Sequence, residues 1–145
     1  MNESTQIRES VRQKILLECR RAYPLESCGL LLKKSEDSYP VRNIEKIEEV
    51  IPMENQAEKS DIYFQVDPLE LYRIEKAAEK KGYDIAGFYH SHPDCAAVPS
   101  REDLEHMIPG MIYVIVSIIR NSSGFIEEVK EYQIDKENKL RGYVK

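Results

Sequence analysis

Met111 to Ile119 reads MIYVIVSII, nine residues with a single polar side chain, Ser117. A helix that crosses a membrane needs about 18 such residues. This run is too short for that, and its isoleucines and valines favour an extended chain. It is therefore read as a buried strand, which commits the protein to a sheet with cover over it. The chain supplies that cover. Ile7, Val11, Ile15, Cys19 and Ala22 recur at helical spacing, giving an amphipathic helix over roughly residues 6–22 that Pro24 ends.

The remaining elements follow from local punctuation. Ser27 to Leu32 reads as a short buried strand, residues 38–52 as one or two more, 53–60 as a polar loop and Asp61 to Val66 as another strand. A second helix has Asp67 as its cap, Pro68 at its first position, Glu70 completing a capping box, and Gly82 closing it after Lys80 and Lys81. Ile85 to Tyr89 is strand-like, a short helix starts near Arg101, and Asn121-Ser122-Ser123-Gly124 turns the apolar run into a strand over Phe125 to Ile134. A last strand is expected over Leu140 to Val144. Strands outnumber helices and the two are mixed. The expected fold is α/β: one domain, 1–145, with a mixed sheet and helices packed on its faces.

Composition narrows the function. Of the 145 residues, 41% are apolar and 32% charged, as in a globular chain. The net charge of −5 argues against a nucleic-acid partner, because phosphate binding wants a basic face. No run suits a membrane, and Met1 to Gln6 lacks the layout of a signal peptide, so a cytoplasmic protein is expected. Cys19, Cys28 and Cys95 form no C-x-x-C pair and give neither a disulfide framework nor a cysteine zinc site.

The chemistry is concentrated in residues 90–103. His90 and His92 sit one residue apart; on a strand, side chains at i and i+2 share a face with Cα atoms about 6.5 Å apart, and two imidazoles so placed can converge on one metal. By itself the pair is a weak signal and reads first as two polar residues at a strand end. Asp103 has two readings as well. Ser100-Arg101-Glu102-Asp103 is a capping box that needs no metal, yet two histidines and a carboxylate together are the three-ligand, one-open-position set of a catalytic zinc site. A water held at the open position would have its pKa lowered to about 7.

The full pattern resembles the JAMM signature of the MPN domain family. It runs H-x-H-P, then seven residues between His92 and Ser100, then S-x-x-D, leaving ten residues between His92 and Asp103. The family also places a glutamate far upstream at the start of an early strand, and Glu26 occupies that place. The resemblance implies an MPN, cytidine-deaminase-like fold with a partly barrel-like sheet. It implies one Zn²⁺ per chain held by His90, His92 and Asp103. It assigns Glu26 as the general base that takes a proton from the water at the metal, and Ser100 as the donor to the developing oxyanion. It also implies a substrate class: the (iso)peptide bond after the Gly-Gly tail of a small ubiquitin-like or sulfur-carrier protein. The competing expectation is a non-catalytic MPN scaffold, which the complete ligand set disfavours. A zinc deaminase would want H-x-E and P-C-x-x-C, which this chain lacks. His106 is read as a surface residue rather than one supporting the metal, Cys95 as a loop thiol, and Tyr89 as core on the face opposite His90.

Overall fold

The computed structural model describes residues 7–35, 46–54, 67–134 and 140–143. Their elements run α1 (Glu9–Ala22), β1 (Cys28–Lys34), β2 (Glu49–Met53), α2 (Pro68–Lys80), β3 (Tyr83–Pro93), α3 (Arg101–His106), β4 (Ile112–Asn121), β5 (Gly124–Ile134) and β6 (Leu140–Tyr143). The strand expected over Asp61 to Val66 lies outside the described residues. The six strands form one open sheet in the order β2-β1-β3-β4-β5-β6. Only β3 and β4 are parallel, with α3 in the connection between them. The expected mixed sheet with helices on its faces is what the chain builds; the partly barrel-like closure is not, because among the described residues β2 and β6 end the sheet at opposite edges.

The nine-residue apolar run is the heart of β4. Ile112 through Ile118 are all buried, one side chain after another, because both faces of the strand are covered. On one face α1 lays Val11, Ile15 and Cys19 over Leu31, Tyr89, Val114 and Val116. Each large aliphatic side chain removed from water there contributes about 1.5–3 kcal/mol. On the other face Ala78 of α2 meets Leu30 and Leu32, while Met107 and Ala97 meet Tyr113, Ile115 and Tyr132.

Several element ends differ from the sequence reading. Helix α1 starts at Glu9 rather than near residue 6, and Arg8 gives its N-terminus no side-chain cap. Asp67 caps α2 through the Leu69 N–H, with Pro68 in the first turn; Glu70 adds first-turn charge without the reciprocal bond of a capping box. Strand β3 is longer at both ends than its apolar stretch, because ladders on both sides hold its polar residues: β1 on one side and β4, through Pro93, on the other. Strand β1 likewise continues through the buried Lys33, which faces Asp84 at 3.8 Å.

One glycine sets the spacing of the sheet near its functional end. Gly29 of β1 pairs with Tyr89 of β3, and a Cβ at Gly29 would lie 2.4 Å from both the Tyr89 ring and the Ile51 carbonyl oxygen. The bare backbone lets the fully buried Tyr89 ring lie against β1 on the α1 face, as expected for the neighbour of His90.

Candidate metal centre

Strand β3 carries Phe88, His90 and His92 on the face covered by α2 and α3, at the carboxyl end where the chain leaves the sheet. The i, i+2 spacing brings the two imidazole centroids to 4.9 Å. Helix α3 delivers Asp103 to them. Its Oδ1 lies 3.2 Å from His90 Nε2 and its Oδ2 lies 3.2 Å from His92 Nε2. All three residues are buried.

The capping box and the convergence on histidine are both present. The Ser100 hydroxyl oxygen accepts the Asp103 N–H at 3.0 Å, and the Ser100 N–H donates to Asp103 Oδ2 at 2.7 Å. The cap sets the carboxylate's orientation and uses one of its oxygens, while Oδ1 faces His90. The two readings of Asp103 are one geometry.

These donors fit a metal. In a tetrahedral zinc site with bonds of about 2.0–2.2 Å, ligand atoms stand about 3.3–3.6 Å apart. The ligand atoms of His90, His92 and Asp103 all lie within 4.8 Å of one another, and the histidine–aspartate pairs at 3.2 Å. His92 Nδ1 stands 3.0 Å from the Ala96 carbonyl oxygen, to which it donates in the tautomer that leaves Nε2 as the ligand atom. Burial pushes His90 down to about 4, with the Asp103 charge opposing, so its ring is neutral and has a lone pair to give. At His92 burial also lowers the pKa, but the Asp103 hydrogen bond, the Ala96 carbonyl and the nearby charges outweigh it and raise it. Burial would raise Asp103; the His92 hydrogen bond and His90 and Ser100 overcome it and hold the carboxyl below its ordinary value.

Glu26 is brought to the same place by strand pairing. The β1–β3 register sets Cys28 opposite His90. The Ser91 N–H donates to the Ser27 carbonyl at 2.9 Å and the Ser27 N–H to Ser91 Oγ at 2.8 Å. Carrying that antiparallel register one step further sets Glu26 opposite His92, on the histidine face. Glu26 is buried, and its charge is among those that raise His92. Ser100 is half-buried at the mouth of α3; its oxygen accepts from Asp103 and its hydrogen is left to donate.

The other candidates separate from the centre. His106 is exposed and bonds the Glu102 carbonyl within its own helix at 2.8 Å. Cys95 is an exposed loop thiol. Cys28 faces His90 in register, but burial pushes its thiol up to about 12, so it stays protonated and is no thiolate ligand. Ser91 and the Ala96 carbonyl went unmarked in the sequence. A serine buried between two histidines was the one available signal for Ser91; a backbone carbonyl leaves none.

A buried pair of neutral-capable imidazoles and one carboxylate, with a second carboxylate and a hydroxyl beside them, is the donor set of a metal-dependent hydrolase. Residues 8–132 match the family model of prokaryotic homologs of the JAB domain, and the chain belongs to that family. The JAMM-type resemblance read from the signature is thereby established.

Named relatives agree. A stretch of 95 residues is 36% identical to a desampylase of Haloferax volcanii, covering 65% of this chain and 63% of that protein. Over 112 residues the chain is 32% identical to a CysO-cysteine peptidase of Mycobacterium tuberculosis, covering 77% of this chain and 71% of that one. A solution structure from Desulfitobacterium hafniense superposes with a TM-score of 0.73 at 27% identity, covering 94% of this chain and 87% of its own.

Proposed function

We propose that this protein is a zinc metallopeptidase that cleaves the peptide or isopeptide bond after the C-terminal Gly-Gly tail of a small ubiquitin-like or sulfur-carrier protein, with one zinc per chain. The observation that carries the reading is the convergence of Glu26 and Ser100, from two distant segments, on the buried His90, His92 and Asp103 cluster. The names of the relatives support the substrate class: one is a desampylase and another a CysO-cysteine peptidase.

His90, His92 and Asp103 would hold the metal. When bound, zinc supplies Lewis acidity and an acidified water at its open position. Glu26, buried beside His92, accepts the proton of the attacking water and returns it to the leaving amine, a transfer that typically contributes about 10²–10⁴-fold. The Ser100 hydroxyl donates to the oxygen of the tetrahedral intermediate. It is oriented because its own oxygen is already held by the Asp103 N–H.

The test is direct. The zinc-loaded protein is incubated with a β-grasp carrier whose Gly-Gly terminus bears a cysteine or is joined to a lysine, and the products are weighed by mass spectrometry. Release of the free carrier ending in Gly-Gly is expected. An intact adduct after prolonged incubation with zinc-loaded protein would overturn the reading.

A further inference from the structure

The segment between the two halves of the metal centre is held by three successive backbone carbonyls. The Cys95 oxygen accepts from Ser117 Oγ at 2.6 Å, the Ala96 oxygen lies 3.0 Å from His92 Nδ1, and the Ala97 oxygen accepts from Tyr132 OH at 2.7 Å. The middle one is the carbonyl that selects the tautomer and ring orientation of His92. The outer two are fixed by hydroxyls of Ser117 on β4 and Tyr132 on β5, both residues buried. The loop start is held too: Tyr23 OH meets both Asp94 carboxylate oxygens at 2.8 Å, and Asp94 takes a positive φ of 59°.

We propose that Ser117 and Tyr132 are positioning residues of the metal centre, setting the Ala96 carbonyl against His92 Nδ1 by clamping the carbonyls on either side of it. This rests on the metal reading above. The geometric reason is that an exposed loop residue such as Ala96 has little packing of its own to orient its peptide plane. With the planes before and after it fixed, its carbonyl has one direction left. Ser117 also pairs with His92 in the parallel register, so the strand that aligns the histidine carries one of the two clamps. Ser117 is the lone polar residue in the apolar run of β4, where a buried hydroxyl needs a partner.

The experiment measures zinc affinity of the full chain by competition with a chromogenic chelator. It compares wild type, Tyr132→Phe, Ser117→Ala and the double variant, with the His92 Nδ1–H followed by nitrogen-15 NMR of the zinc-loaded protein. Partners that orient metal-bound histidines are typically worth 10–100-fold in affinity. Each single variant, acting one peptide away, is expected to weaken zinc by about 3- to 10-fold and the double variant by about 10-fold or more, with the His92 N–H resonance shifted towards its solvent-exchanging position. Thermal melts of the metal-free proteins accompany the series, and Tyr132→Phe, which only removes an oxygen, keeps the test open if Ser117→Ala folds poorly. Zinc affinity within twofold of wild type in Tyr132→Phe, or weakened zinc with an unmoved His92 N–H resonance, overturns the proposal. Wild type that binds no zinc overturns the metal reading instead, and this one with it.

Discussion

Asp103→Asn separates the two duties of one side chain. Asparagine keeps an oxygen where Oδ2 accepts the Ser100 N–H at 2.7 Å, and its amide can donate towards His90 Nε2, where Oδ1 now stands at 3.2 Å. The cap therefore survives, and losing it outright would cost only about 1 kcal/mol. On the proposed reading the metal, by contrast, would lose its anionic ligand among the three. Removing a hydrogen-bond partner behind a ligand costs 10–100-fold, so removal of the ligand's charge is set at about 100-fold or more. At a zinc concentration 100 times the wild-type Kd, binding stabilises the folded state by about 2.7 kcal/mol; a variant 100-fold weaker gains about 0.4 kcal/mol. For a chain of this length 1 kcal/mol moves Tm by roughly 2–4 °C, so wild type should gain roughly 5–11 °C on zinc addition and Asp103→Asn roughly 1–2 °C. The assay is thermal unfolding with chelator and with zinc. The metal-free melting temperatures should agree within a few degrees. An Asp103→Asn variant with the full zinc shift and a frayed α3 would refute the reasoning and leave Asp103 a cap alone.

Glu26→Gln should retain zinc with near wild-type affinity while turnover falls by about 10² or more; near-normal cleavage would send the search for the base elsewhere. Ser100→Ala should lower kcat by about 10²–10³ and also cost about 1 kcal/mol of stability as a lost cap; kcat and KM measured alongside denaturant unfolding separate the two losses. Burial pushes Glu131 up to about 7, with Arg12 opposing, so the native state holds its proton where the unfolded chain has released it. That penalty is absent below the unfolded carboxylate value of 4.5 and grows as pH rises through about 7. Glu131→Gln should therefore raise Tm at pH 8 by an amount worth at most about 3 kcal/mol and leave it nearly unchanged at pH 4; equal shifts at both would contradict this.

How much of the centre was legible depends on how local its causes are. The shared face of His90 and His92 follows from the two-residue period of a strand, and the Ser100–Asp103 box follows from four adjacent residues; both are visible in the sequence. What the sequence left as rival readings of Asp103 are compatible because Oδ2 takes the cap's N–H while still facing His92, and Oδ1 is left for His90. Glu26 was marked only by resemblance, since its position depends on the β1–β3 register between segments more than sixty residues apart, and no local pattern encodes a register. The strand reading of His90 and His92 holds, but β3 starts earlier, at Tyr83, and runs on through Pro93, because β1 pairs its polar start and the parallel ladder to β4 pairs Pro93 with Ile118. Ser117 and Tyr132 act through carbonyls in another segment, and residue type says nothing about which carbonyl a hydroxyl will find.

The missing carbon at Gly29 has a consequence for how variants of this protein should be interpreted. Gly29 lies on the α1 side of the sheet, away from every candidate ligand, and Glu26 is three positions upstream on the same run of backbone. A methyl group there would meet the Tyr89 ring and the Ile51 carbonyl at 2.4 Å, and one of the flanking strands would have to yield. Any outward step of β1 from β3 displaces Glu26 relative to His92, because the two are held to a common frame by that pairing. On the proposed mechanism, Gly29→Ala would then surface as a slow enzyme that still takes up its metal, a lesion of timing in the proton relay produced by a wedge on the far side of the wall.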